Sequence, residues 1–133
     1  MRIEHVKYFD YDGNQREEDH YFNISRAELL ELEMSVGGGL DAKIKRLGQT
    51  LEGPEVMKLF KDIISLAYGI KTLDGKRIEK SEKITKEFME TEAYSEILMR
   101  LLQDPEYAAA FIKDIIPKNI EQKEAVTELH PVN

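Results

Sequence analysis

One segment constrains the fold more than any other. From Gly53-Pro54 to about Ile70 the chain carries an apolar face too broad for a single seam. Val56, Phe60, Ile63, Ala67 and Ile70 form one stripe at helical spacing. Met57, Ile64 and Tyr68 form a neighbouring one, and Leu59 and Leu66 widen it. Proline needs no N–H at the first helical position, so Gly53-Pro54 marks the start. A helix apolar over this width has to be covered on two sides, which predicts a central helix with others packed around it.

The flanking segments supply those neighbours. Ser25 and Glu28 form a capping box, each side chain satisfying a backbone N–H that a helix start leaves without a partner, with Ile24 and Leu29 at staple spacing. A helix is expected from Arg26 to about Met34, stopped by Gly37-Gly38-Gly39. A short helix follows over about 40–51, with Leu40, Ile44, Leu47 and Leu51 on one stripe. Leu73-Asp74-Gly75-Lys76 reads as a turn within a stretch, 71–81, that is mostly loop with room for a short hairpin. Ser81 or Thr85 then caps a helix through Phe88. It continues, with a break near Thr91, to about Gln103 and buries Ala93, Tyr94, Ile97, Leu98, Leu101 and Leu102. Asp104-Pro105 caps a last helix that runs to Ile116, before Pro117.

Ahead of the helices, residues 3–23 read as a β-hairpin. Ile3, Val6, Tyr8, Phe9 and Tyr11 precede Asp12-Gly13, a two-residue turn signal, and Tyr21 and Phe22 follow. That turn sets Lys7 opposite Glu18 and His5 opposite His20. The expected class is mainly α. It is a single domain of about five helices over 1–117, opened by the hairpin and followed by a disordered tail over 118–133, where apolar side chains are few.

Composition narrows the function. There are 19 Lys and Arg against 26 Asp and Glu, a net charge of −7, which disfavours nucleic acid as a partner. The absence of cysteine excludes disulfides, thiolate catalysis and Cys-bound metal, and fits a reducing compartment. No apolar run approaches a membrane span or the core of a signal peptide, so a cytoplasmic protein is expected. His5 and His20 with Glu4, Glu18 and Asp19 read more simply as half-exposed strand residues than as a zinc site, since a zinc site needs three or four converging ligands. Asp10-Tyr11-Asp12-Gly13-Asn14 has its glycine in the wrong place for a calcium loop. Gly37-Gly38-Gly39 lacks the preceding strand and following Lys-Ser or Lys-Thr of a phosphate loop. No serine sits in a nucleophile elbow and no carboxylate is marked as desolvated. The chain is expected to be no enzyme and to hold neither cofactor nor metal.

What remains is surface. Met57, Phe60, Ile64, Tyr68, Tyr94, Leu98 and Leu101 are the candidate partner-binding residues, an apolar set that would form a groove for amphipathic helices. For any one of them the plainer reading is a place in the helical core, since stripes at helical spacing usually mean core.

Several stretches, taken together and in order, resemble a known family. They are Tyr11-Asp12-Gly13-Asn14, Phe22-Asn23-Ile24-Ser25 with Ala27-Glu28-Leu29, and Lys58-Leu59-Phe60-Lys61-Asp62-Ile63-Ile64 leading to Ala67-Tyr68-Gly69. Asp74-Gly75-Lys76-Arg77, Thr91-Glu92-Ala93-Tyr94-Ser95-Glu96, and Ala108-Ala109-Ala110-Phe111-Ile112 running to Ile116-Pro117 complete the set. Over about residues 6–117 the chain is similar to the tail assembly chaperones of long-tailed bacteriophages and prophages of Gram-positive bacteria. Lys113-Asp114 and Ile78 depart from the pattern. The resemblance implies a non-enzymatic protein of the host bacterial cytoplasm, absent from the mature virion. It implies binding to the tape-measure protein and recruitment of the major tail protein that polymerises around it. Self-association is expected on physical grounds, since mutual contact along a helical rod adds avidity. The resemblance supplies no set of functional residues. The rival readings are a small phage-encoded adaptor or regulatory protein that binds a host protein, and a small hydrolase, which would need a pocket of convergent polar groups.

Overall fold

Two antiparallel strands open the chain, β1 (Arg2–Phe9) and β2 (Gln15–Phe22), in a computed structural model that describes residues 1–34, 42, 44–46 and 53–117. Their register differs by one from the expected one: Phe9 faces Gln15, Lys7 faces Glu17 and His5 faces Asp19. The cause is Asp10. Its carbonyl accepts from the Gly13 N–H at 3.0 Å, and its own N–H donates to Asn14 O at 2.9 Å. The loop is therefore Tyr11-Asp12-Gly13, three residues with the positive φ (79°) at Gly13. The Asp10 carboxylate holds this loop by accepting from Asp12 N at 3.0 Å, Asn14 N at 2.9 Å and Arg16 Nε at 2.8 Å. Even-numbered side chains consequently turn inward. Glu4, Val6 and Phe22 are buried and Tyr8, Glu18 and His20 half-buried, while His5, Lys7 and Phe9 face solvent.

Helix α1 (Arg26–Glu33) begins with the expected capping box: Glu28 N donates to Ser25 Oγ at 3.1 Å and Ser25 N to the Glu28 carboxylate at 2.9 Å. Ala42 and Ile44–Arg46 are helical. The remainder of the predicted 40–51 helix, Gly37-Gly38-Gly39 and the 118–133 tail lie outside the described residues. The broad apolar helix is α2 (Gly53–Ala67), and it ends three residues earlier than its stripe suggests. Tyr68–Lys71 leaves the helix as strand β3 and pairs with the inner edge of β2, Tyr21 opposite Gly69 and Phe22 opposite Tyr68. A second turn, with Gly75 at φ 74°, returns the chain as β4 (Ile78–Glu79). Gly69 is required there, because a Cβ would overlap Ile78 Cγ2 and stand 3.0 Å from the Glu79 carbonyl oxygen.

Three capped helices follow. Ser81, not Thr85, caps α3 (Glu82–Met89), Thr91 caps α4 (Glu92–Gln103), and Asp104 with Pro105 opens α5 (Pro105–Ile115). The break near Thr91 is present.

The expected class, mainly α with one hairpin, is overturned. The strands form a four-stranded antiparallel sheet in the order β1-β2-β3-β4, and of the described residues 56% are helical and 21% strand. The protein is α+β, not all-α. Residues assigned to the end of the apolar helix satisfy an open sheet edge instead, where Tyr68 and Ile70 are good strand formers.

Helices cover one face of the sheet. Phe22, Ile24, Ile63, Ile64, Leu101, Phe111 and Ile115 are almost wholly buried between the layers. Phe22 sits at the centre, its ring 5.1 Å from that of Phe111 and 5.5 Å from that of Tyr68, and Tyr68 stacks on Phe88 at 3.9 Å. One cation binds the layers together. Lys80 Nζ donates to Asn23 O at 2.6 Å, to Leu66 O at 2.9 Å and to the Glu28 carboxylate at 2.8 Å. It thereby ties the last turn of α2 and the segment after β2 to the α1 cap.

Candidate functional site

Helices α2, α4 and α5 do not close on one another completely. Between them lies an open apolar trough of about 640 Å³. Val56 and Phe60 of α2 form one wall and Leu101 and Leu102 of α4 the other. Ala108, Ala109, Ile112 and Ile116 form the α5 side, with Pro105 at its start and Ile44 also in contact. The two alanines lower the α5 wall, so that another helix can approach its backbone closely. Lys113 supplies a charge on the rim.

The seven candidate residues divide by position. Phe60 and Leu101 line the trough, although each is mostly covered, and Met57 is exposed on the same helix as Phe60. Ile64 and Tyr68 are core residues, Tyr68 on β3 rather than on a helix. Tyr94 and Leu98 are half-buried on α4, with the Tyr94 ring edge-on to Phe88 at 5.8 Å. The candidate set drawn from the sequence lacks Leu102, which was expected to be buried, and Ala109, Ile112 and Ile116. The run Ala108-Ala109-Ala110 permits close approach of a helix, and it is this run that lowers the trough wall.

A second concavity is polar and smaller, about 130 Å³, between β1 and α4–α5, lined among others by Glu4, Lys7, Arg100 and Tyr107. Arg100 lies 4.0 Å and Arg2 5.2 Å from the Tyr107 ring centroid, and Arg2 is paired with Glu4 at 2.6 Å and Asp114 at 2.9 Å. The Tyr107 hydroxyl is buried beside Glu4 without a well-formed hydrogen bond. Burial first, then the Glu4 carboxylate, pushes its pKa well up, so the phenol stays protonated. This cluster is a charged seam between sheet and helix.

The two histidines are separated by the register. His5 lies on the solvent face between Asp19 (2.6 Å) and Glu17 (2.5 Å), and hydrogen bonds to Asp19 and then Glu17 raise its pKa. His20 points into the core side against Phe88 and Tyr68, and desolvation lowers its pKa. Among the described residues no group of three or more His, Asp and Glu side chains could hold a metal ion, and no helix is long and apolar enough to cross a membrane.

A two-layer α+β domain carrying an open, apolar, helix-lined concavity has the form of a binding protein. Comparison with known proteins places it more closely. The chain belongs to the phage tail assembly chaperone family, whose model matches residues 1–132, past both ends of the 6–117 stretch that carries the resemblance. No curated protein and no solved structure matches it. Its role is accordingly non-enzymatic, concerns tail proteins, and is exercised while virions are built in the host cell.

Proposed function

We propose that the trough between α2, α4 and α5 receives an amphipathic helix of the tape-measure protein of a long-tailed phage. The chaperone thereby keeps that protein soluble until the major tail protein polymerises around it. The observation that carries this reading is the trough itself: apolar walls from three helices, an alanine-lowered side, and one charged rim residue. A long helical protein with an exposed apolar stripe self-associates unless the stripe is covered. A helix laid in the trough buries its stripe, and a carboxylate beside that stripe pairs with Lys113. The chain's charge of −7 keeps the covered complex soluble. Coverage along a rod needs many copies held weakly, so mutual contact between neighbouring chaperones raises avidity while each contact stays reversible. Displacement by the major tail protein leaves the chaperone out of the finished particle.

The test is co-expression with a tape-measure fragment. Leu102→Asp and Ala109→Asp place a charge in the trough at exposed positions that the core does not need. Wild type is expected to keep the fragment in the supernatant. Both variants are expected to leave it in the pellet while melting close to the wild-type temperature. Variants that solubilise the fragment as well as wild type would sink the proposal.

A further inference from the structure

The outer edge of β1 is an eight-residue strand edge with no strand partner among the described residues. Its pairing with β2 is unbroken from Arg2 to Phe9, so no bulge turns the edge away. The direction of its backbone groups follows from the turn. Asp10 N–H donates to Asn14 O, making Asp10 and Asn14 a hydrogen-bonded pair. Such pairs alternate along an antiparallel ladder. The even residues of β1 therefore bond to β2, and Ile3, His5, Lys7 and Phe9 aim their N–H and C=O groups outward. Two of these four carry apolar side chains that stand free in solvent, Ile3 at 52% and Phe9 at 64% exposure.

We propose that this edge pairs with the same edge of a second copy, antiparallel about a two-fold axis at Val6, joining two four-stranded sheets into one of eight strands. Self-complementarity singles out that register. With the axis at Val6, Ile3 of one copy faces Phe9 of the other, an aromatic–aliphatic pair on the solvent face. On the helix-covered face Arg2 meets Asp10 of the second copy, opposite charges at both ends of the ladder. His5 then faces Lys7, and each already has an acidic neighbour on its own β2, His5 with Asp19 and Lys7 with Glu17. A shift of two residues one way sets Lys7 against Lys7. The other way sets His5 against His5 and puts Met1 opposite Phe9 and Lys7 opposite Ile3, so the Ile3–Phe9 pair is lost. Four facing pairs, each exchanging two backbone hydrogen bonds, hold the edge together. The surface is remote in chemistry from the trough, and the proposal gives a site to the mutual contact suggested above.

Sedimentation velocity over about 1 µM to 1 mM, with trough binding measured in parallel, tests it. Wild type is expected to pass from monomer to dimer. Lys7→Pro removes an outward N–H and no bond to β2, and proline is tolerated at such an edge position. It is expected to weaken dimerisation at least tenfold. Ile3→Glu combined with Phe9→Glu sets carboxylates against each other at two exposed positions and is expected to do the same if proline disturbs the strand. The chain has no native cysteine, so a mixture of Ile3→Cys and Phe9→Cys chains can be oxidised cleanly. The mixture is expected to cross-link, and Ile3→Cys alone is not. A wild type that stays monomeric at 1 mM overturns the proposal, as does a dimer that survives all three edge changes. Edge variants that still hold a tape-measure fragment soluble separate this outcome from failure of the trough reading.

Discussion

Replacing Lys80 by methionine keeps the length of the stem and removes the ammonium, and the structure says what that costs. The group has three acceptors at 2.6–2.9 Å: Asn23 O, Leu66 O and the Glu28 carboxylate. Leu66 O lies in the last turn of α2, where carbonyls lack an intrahelical partner and a cation is favoured by the helix dipole. Hydrogen bonds involving a charge contribute about 1.5–3 kcal/mol each, a nominal sum of about 5–9 kcal/mol. That sum is too large. The Lys80 and Glu28 side chains are 21% and 36% exposed, so water replaces part of what is lost, and bonds sharing one donor do not add. The expected loss is about 2–3 kcal/mol, or about 8–12 °C in melting temperature for a chain of this size. Urea denaturation of Lys80→Met, Glu28→Gln and the double variant measures it, with a coupling of about 1 kcal/mol or more expected between the two. Acid supplies an independent check. Burial raises the Glu28 pKa, but hydrogen bonds from Lys80 and the Ser25 backbone outweigh it, leaving the folded value below the ordinary 4.5. A depressed carboxylate stabilises the fold above its unfolded pKa and stops doing so as pH falls through the folded one. The gap between wild type and Lys80→Met is therefore expected to narrow below about pH 4.5. A loss under about 0.5 kcal/mol, or strict additivity with Glu28→Gln, would show that Lys80 does not tie the layers together.

Gly69→Ala forces a methyl group into Ile78 and is expected to cost about 2 kcal/mol or more by denaturant unfolding. Gly75→Ala, in open space at φ 74°, is expected to cost about 1 kcal/mol. Equal losses would mean that β3 and β4 do not approach as closely as the structure has them. The two histidines are expected to titrate on opposite sides of 6.5 in proton NMR, His5 above because two carboxylates hold its charged form, His20 below because burial opposes it. Stability from His5 is then present below 6.5 and lost as pH rises through its raised folded value, while protonation of His20 opposes folding on the acid side. The reverse order would restore the other hairpin register. Asp104→Ala removes the acceptor for Tyr107 N at 3.1 Å and is expected to lower stability by about 1 kcal/mol, read as a drop in melting temperature of roughly 4 °C.

The helix starts were legible because each rests on a local bond. Ser25 with Glu28, Ser81 (one of two candidates) and Asp104-Pro105 all act within three residues, and the structure shows each cap in place, while Thr91, expected only as a break, caps α4. The hairpin register was harder. Asp12-Gly13 is a strong signal for a two-residue turn, but Asp10 followed by glycine three residues later is also a turn signal, and it wins because the Asp10 carboxylate gathers two backbone N–H groups and Arg16. One residue of difference moved His5 and His20 to opposite faces. Strand β3 was hidden for another reason. Tyr68 and Ile70 continue the helical stripe of α2 without a break, and only the distant edge of β2 makes a strand the better use of them. A similar ambiguity veiled the trough, because an apolar residue at helical spacing reads the same whether a neighbouring helix covers it or leaves it open.

The sheet and the trough are linked by geometry. In a bundle made of helices alone, the broad face of α2 would have to be sealed on both sides by other helices, and the apolar residues of α4 and α5 would be consumed in doing so. Here Phe22 and Tyr68, on strands, pack in one buried cluster with Ile63, Ile64 and Ala67 of α2. Leu101 and Phe111 belong to the same cluster. Leu102, Ala109 and Ile112 at its margin are left with solvent on them. The apolar surplus of the sequence is thus divided. Part of it makes the buried core, and part lines an open furrow. A furrow of that kind suits a chaperone that must let go. Under the reading proposed above, a helix laid in it would gain only the burial of its own stripe, and a tail protein covering the same stripe more fully would take it away.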